Sequence, residues 1–386
     1  MTSTASDLFP ELRRFVAGRW WLASALCICF LVGALANYTP IFVRAVVEPL
    51  PEPVQGYLYK IDHPWADSFL GLAPQEHAPK LTPRVLPALL LHALPRHPAS
   101  AYTVQFLCGL GILLVGMAML HAETRDRTLV LAGGLVLALM PPVALALAST
   151  PYLFDPLAFL FAGLVVAARQ KPWLAGPLLV AGMWCDERVI LGGLVAAAAA
   201  LFQRQPWREV WTCWGALALG ALVYFLTRQA AFATLGWPAD AETIRFAQLV
   251  SAWKFAPLTA AMVVEGGAIL GLFLGWRLAR DRAWPALAAL VAAYTLLGIA
   301  CVTVADMSRT ACFGYPLVLV LLAEVARRAT RETARVVVAL ALGACLLVPT
   351  CVLMVFGGYR GLWVLPPTPL KLLAEAASLV VGPAGH

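Results

Sequence analysis

WLAGPLLVAGMWCDERVILGGLVAAAAALF, residues 173–202, places Asp186, Glu187 and Arg188 between two runs that carry no charge. Each run is shorter than the roughly 20 apolar residues that cross a bilayer. The stretch therefore reads as a helical hairpin, 173–185 and 189–202, whose turn carries charge. Why an apolar hairpin keeps three charges at its turn is the question that organises the rest of the chain.

The composition sets the class. The chain has 386 residues, 61% hydrophobic and 13% charged, with a mean hydropathy of +0.80. A soluble domain carries about a quarter charged residues. This composition predicts an all-α polytopic membrane protein, a single transmembrane domain over 1–386, in place of two or three soluble domains. Apolar runs predict about 11 transmembrane helices: 20–36, 101–120, 128–149, 156–168, 173–185, 189–202, 209–226, 256–275, 284–304, 310–324 and 336–356. Arg13, Arg14 and Arg19 precede the first run, which reads as a retained span. All nine cysteines fall in apolar stretches and read as small hydrophobes, with no CxxC or zinc spacing.

Two segments lie outside the ladder. The first external loop, 37–100, is proline-rich in its first half, with Pro40, Pro49, Pro51 and Pro53. Its second half, LTPRVLPALLLHAL, has an apolar run that suits an interfacial helix. The external tail, 357–386, holds TPLKLLAEAASLVV from Thr368, a second interfacial candidate.

Lys and Arg orient the ladder. If the spans alternate, one side collects 16 of the 28 basic residues against 8 acidic ones, and the other side 12 basic against 13 acidic. The basic excess is thus an orientation signal and not a nucleic-acid footprint. The N-terminus is expected to be cytoplasmic and the C-terminus external.

Depth follows from helix length. At 1.5 Å per residue, 156–168 and 189–202 cover about 20 Å and 310–324 about 22 Å, against a hydrocarbon core of about 30 Å. Each runs from an external turn to a basic cytoplasmic end. The turns at Asp155, at Asp186-Glu187-Arg188 and at Asp306-Met307-Ser308-Arg309 therefore lie below the outer surface. Charge and irregular backbone at that depth need a water-filled cavity or protein cover. Any one turn could be a capping acid paired with its own arginine, but three at a common depth predict an outward-open site. Glu265, mid-helix, reads as an interhelical hydrogen-bonding group or a member of the site.

The first loop adds Asp62, His63, Asp67, Glu76, His77, Lys80 and Arg84. In a helix, Lys80 and Arg84 share one face, which suits a phosphate or an anionic headgroup. No GxSxG, Walker A, HExxH or Rossmann pattern is present in a suitable context, which disfavours a cytoplasmic nucleotide-driven reaction.

The long first loop with an acid and an interfacial helix, and the acid between the third and fourth spans, resemble the GT-C superfamily of membrane glycosyltransferases. The resemblance is one of topology over most of the chain, carried by short motifs. It implies a GT-C-like fold in a bacterial-type inner membrane of the cell envelope, with a site facing the periplasm. It implies transfer of a sugar from a polyprenyl-phosphate donor to a hydroxyl of a lipid or glycan acceptor. The family's first-loop acid corresponds to Asp67 or Asp62, though both come late in the loop, and its second-loop acid to Asp155, here without a DxD pair. The chemistry needs a carboxylate to take the acceptor proton and cations for the departing phosphate. Asp67 is the expected base, with Asp62 its rival and Asp155 the third catalytic candidate. Lys80, Arg84, His77, Arg188 and Arg309 are the candidates on the phosphate side. Asp155, Asp186, Glu187 and Asp306 would orient the sugar or the arginines, or bind a divalent metal, Mg or Mn. The alternative is a secondary transporter or flippase for an anionic or lipid-linked solute.

Overall fold

The computed structural model describes residues 18–37, 59–65, 82–95, 98–148, 155–202, 205–237, 266–302, 307–347, 350–356 and 359–365. Its helices are α1 Trp21–Asn37, α2 Val85–His92, α3 Pro98–Thr124, α4 Arg127–Leu139, α5 Pro141–Ala148, α6 Asp155–Ala167, α7 Pro172–Met183, α8 Ile190–Phe202, α9 Trp207–Leu235, α10 Gly266–Arg280, α11 Trp284–Val302, α12 Met307–Cys312, α13 Tyr315–Arg328 and α14 Arg331–Leu347. A 3₁₀ turn, Glu187–Val189, joins α7 to α8, and an antiparallel hairpin of β1 Thr350–Phe356 and β2 Tyr359–Leu365 follows α14.

Among the described residues, four helical stretches are long and apolar enough to cross a membrane: Ser100–Thr124, Trp207–Leu235, Trp284–Cys301 and Arg309–Arg328. They mark a membrane protein. Shorter apolar helices accompany them, among them α4, α6 and α7. The expected span 128–149 is broken between α4 and α5 by Pro141-Pro142, whose rings cannot continue the ladder. The expected span 336–356 ends at Leu347 and passes into β1. TCVLMVF is short, apolar and rich in residues that suit a strand, so its hydropathy alone cannot separate strand from helix. The run 310–324 kinks at Phe313-Gly314, between α12 and α13. α9 runs nine residues beyond its predicted end and stops at Gly236, whose φ of 65° closes it in a left-handed cap. The second half of the first loop forms a helix, α2, with Val85, Pro87, Ala88 and Leu91 buried, while Glu265 and the tail from Thr368 lie outside the described residues.

The architecture is built around α13. YPLVLVLLA, residues 315–323, is apolar on every face, which fits a helix enclosed by others. Tyr315 to Val325 are all buried, and α13 lies against α3, α6, α8 and α10. α6, α8 and α13 run alongside one another. All three begin near one charged layer, at Asp155, Arg188 and Arg309, and end near another, at Arg169, Phe202 and Arg328. Thirteen residues of α6 or α8 separate the layers by about 20 Å. Exposed tryptophans lie beside basic residues along the chain: Trp20 by Arg19, Trp173 by Lys171, Trp207 and Trp211 by Arg208, Trp276 by Arg277 and Trp284 by Arg282. Such pairs suit a membrane–water interface.

Close helix contact fixes this spacing. A Cβ on Gly192 would lie 2.9 Å from Ala162 Cα and 3.1 Å from Ala162 O, backbone atoms that cannot yield. On Gly193 it would meet side-chain methyls at ordinary contact distance, those of Leu179 at 3.4 Å and one of Leu217 at 4.0 Å. Gly192→Ala is expected to cost about 1–3 kcal/mol by forcing α8 away from α6. Gly193→Ala is expected to be near neutral. Unfolding of the two variants in detergent, followed by circular dichroism, distinguishes them; equal stability would show that α6 and α8 do not pack this tightly.

Candidate functional site

The first charged layer is an ion cluster in which two almost solvent-free carboxylates share three guanidiniums. Asp155 opens α6. Its Oδ2 lies 2.6 Å from Arg309 Nε and 2.5 Å from Arg309 Nη2, and its Oδ1 lies 3.4 Å from Arg188 Nη2 and 3.8 Å from Arg84 Nη1. Asp186 caps the 3₁₀ turn by accepting from the Arg188 backbone N at 2.9 Å. The same carboxylate takes Arg188 Nε at 2.8 Å, Arg188 Nη2 at 2.7 Å and Arg84 Nη2 at 2.6 Å. The acid side chains are 4% and 1% exposed, whereas those of Arg84, Arg188 and Arg309 are 14%, 17% and 18% exposed.

The elements around the cluster hold it in place. Arg188 lies over the Phe313 ring at 4.8 Å and donates from Nη1 to Thr310 Oγ1 at 3.3 Å. Phe313 packs edge-on against Phe159 at 4.7 Å, and Tyr315 donates its hydroxyl to the Phe159 carbonyl at 3.0 Å. Arg84 precedes α2, which is tied to the hairpin where Leu86 N donates to Trp184 O at 3.3 Å. Buried Lys60 donates to the Thr82 carbonyl at 2.9 Å and lies 5.5 Å over the Trp237 ring. These contacts fasten the first loop and the end of α9 beside Arg84.

Electrostatics give the cluster a sign. Among the described residues that form these contacts, three guanidiniums face two carboxylates, one positive charge in excess. α6 and α8 also point their N-terminal ends at it, and helix N-termini attract anions. Burial alone would raise the Asp186 carboxyl, but the Arg188 and Arg84 guanidiniums and the hydrogen bonds from Arg188 outweigh it and hold it well below the usual carboxylate range. All four oxygens of the two acids face guanidinium. A divalent cation would have to displace those partners, so Asp155 and Asp186 as placed do not fit Mg or Mn, and the donor set fits an anion.

Glu187 stands apart from the other two acids. Its side chain is 39% exposed, and one oxygen, Oε2, lies 3.2 Å from Nη1 of Arg228 on α9. Desolvation raises this carboxyl against the pull of Arg228.

Of the residues expected from the sequence, Arg84, Asp155, Asp186, Arg188 and Arg309 come together, with Glu187 beside them. Asp62 closes the helical turn 59–62, next to Lys60. Asp67, His77, Lys80 and Asp306 lie outside the described residues. The local reading of Asp186, a cap paired with its own arginine, describes part of its environment. It does not explain Asp155, whose partners come from three other segments. Sequence reasoning missed Arg228 and Lys60. Arg228 was placed beyond the end of its span, and a continued helix through TRQAAFATL was the signal that would have kept it inside.

The second layer is also ionic. Glu123 joins Arg169 at 2.8 Å and Arg327 at 2.6 Å, and buried Glu324 takes Arg327 at 2.9 Å and Arg328 at 2.8 Å. Here the arginines also spend donors on carbonyls at helix ends: Arg169 on Val166 O at 3.0 Å, and Arg328 on Phe202 O at 2.8 Å. Helix C-termini absorb cationic charge. This layer is accordingly a structural tie, and the first layer is the candidate anion site.

No protein family, curated protein or solved structure matches the chain. The structure defines the class of protein, a helical membrane protein with a buried arginine–carboxylate cluster.

Asp186→Asn is expected to destabilise the protein by about 3–5 kcal/mol, because it strands buried guanidinium charge. Arg331→Ala, which removes a 70%-exposed partner 3.1 Å from Asp126, is expected to cost about 0–1 kcal/mol. The depressed Asp186 carboxyl contributes stability that is complete above the ordinary carboxylate range and is lost as pH falls toward its lowered value. The parent should thus lose stability below about pH 5 more steeply than Asp186→Asn, since carboxylates titrate near 4 when unperturbed. Equal acid sensitivity in thermal melts would exclude the assignment.

Proposed function

We propose that the arginine cluster binds the phosphate of a polyprenyl-phosphate-linked sugar, and that the protein is a GT-C-type glycosyltransferase acting on the external, periplasmic face of a bacterial-type inner membrane. The observation that carries this reading is the cluster itself, three partly exposed guanidiniums held by two buried carboxylates with one positive charge in excess. A phosphodiester carries one negative charge, so the cluster matches the donor in sign and magnitude. Guanidiniums also present paired donors that suit phosphate oxygens.

Two further features support a lipid-linked donor. An apolar groove of about 460 Å³ is lined in part by Leu194, Trp214, Leu296 and Ile190, and Ile190 stands two residues along the chain from Arg188. The cluster also lies about 20 Å, one thirteen-residue helix, from the second charged layer. With that layer at one surface of a core about 30 Å thick, the cluster would lie about 10 Å inside the other, a depth that suits an amphiphile whose phosphate and tail enter together.

In the reaction, Arg84, Arg188 and Arg309 hold the donor phosphate and stabilise the charge that develops on it as the sugar departs. Asp155 and Asp186 neutralise and orient those arginines; they are positioning residues. The eleven-span ladder belongs to this proposal and is tested with it by mapping which loops are labelled from each side of the membrane.

The test is release of undecaprenyl phosphate from undecaprenyl-phosphate-linked hexoses, pentoses and aminohexoses by solubilised membranes that carry the native acceptors. Parent protein is expected to release the lipid phosphate with covalent transfer of the sugar. Arg309→Ala is expected to lower kcat/KM by about 100-fold, the scale of losing one preorganised donor to a developing anion, and Arg309→Lys to restore part of it. Uptake of a labelled solute into proteoliposomes without a covalent product would instead establish the transporter.

A further inference from the structure

We infer that Glu187 is the general base that activates the acceptor hydroxyl; this rests on the glycosyl-transfer reading of the site. A general base must be able to take up a proton without leaving a buried charge unpaired. Both oxygens of Asp155 and both of Asp186 face guanidinium, and protonating either would strand buried arginine charge. Those two acids are structural anions. Glu187 differs in exposure and in contacts: its side chain is 39% exposed, and its one ion pair engages Oε2. The Glu187 side chain thus keeps more access to an incoming hydroxyl than those of Asp155 and Asp186, at 4% and 1% exposed.

Position supports the same assignment. Glu187 precedes Arg188 directly, so their Cα atoms are about 3.8 Å apart, and one short turn carries both the base and a phosphate ligand. The 3₁₀ turn is fixed by the Asp186 cap, which limits how far Glu187 can drift from the phosphate. Arg228, 93% buried by its 7% exposure, anchors Glu187 from α9 and is itself set by the Phe232 ring at 5.2 Å. The charged and titratable groups around Glu187 are Arg228 and Tyr224 on α9, Asp186 and Arg188 on its own turn, and Arg84 before α2.

The step balances. The acceptor oxygen forms a bond to the anomeric carbon while the bond from that carbon to the phosphate oxygen breaks. The electron pair leaves with the phosphate, which stays on Arg84, Arg188 and Arg309. The acceptor proton passes to Glu187 and from there to water at the exposed side.

The test measures kcat and donor KM with undecaprenyl-phosphate-linked sugars for the parent, E187Q, E187D, D62N and D67N, each checked by size-exclusion profile. E187Q is expected to lose kcat by about 100-fold or more, the usual worth of a positioned base, with donor KM unchanged and the acidic limb of the pH profile gone. E187D, which keeps the charge and shortens the reach, is expected to recover part of kcat. Should E187Q fail to fold, E187D carries the test by a lowered kcat at unchanged donor KM. Near-parental kcat in the folded Glu187 variants, with D67N or D62N inactive, overturns the inference and moves the base to the first loop while leaving the donor reading intact. A parent that releases no undecaprenyl phosphate overturns the donor reading itself, and the inference with it, before any variant is compared.

Discussion

Two carboxylates that have almost no access to solvent, Asp155 and Asp186, have to be neutralised where they stand. That constraint shapes the layer around them. Burying an ion costs several kcal/mol after relaxation, while a pair at 4 Å recovers about 4 kcal/mol at the effective dielectric of a protein surface. One partner is therefore insufficient for either acid. Arg84, Arg188 and Arg309 converge from three separate segments, and each lies within hydrogen-bonding or ion-pairing reach of at least one acid. The geometry that solves the desolvation problem also fixes the starts of α6, α8 and α13 relative to one another.

The two charged layers at opposite ends of these helices illustrate how similar residues acquire different roles. Each has three arginines and two acids. At the far layer, surplus positive charge is met by the carbonyls of Val166 and Phe202, at the negative ends of helices. At the near layer, helix N-termini add positive potential to a surplus that is already positive. The first arrangement closes on itself, and the second leaves room for an anion. Helix direction, as much as residue identity, separates a tie from a binding site.

Local readings from the sequence succeeded where a residue's partner lies within a few positions. The Asp186–Arg188 pairing, the charged turn of the hairpin and the short helix of the first loop were legible because spacing sets them. Hydropathy failed where its signal is degenerate. TCVLMVF became a strand, and the run through Pro141-Pro142 became two helices, since an apolar window does not report backbone continuity. Helix length puts Asp155, Arg188 and Arg309 near one level, and their contacts follow only from the packing of the helices that carry them. Arg84 joined the cluster from a loop whose register nothing local determines, and Arg228 from a helix that outran its predicted end.

The sequence by itself determined the class of the protein and the presence of charge where charge is costly. Both follow from composition and from the 1.5 Å rise of a helix, which are properties of the chain alone. Only the tertiary structure decided which charges meet. It joined Asp155 to Arg309 across 154 positions and gave Asp186 a second arginine, and it left Glu187 with the most exposed side chain of the three acids. The physical reason is that ion pairing acts over a few ångströms, while the sequence separates its partners by whole helices. WCDERVI shows a turn that must be neutralised, and the packing of α6, α8 and α13 supplies the residues that neutralise it.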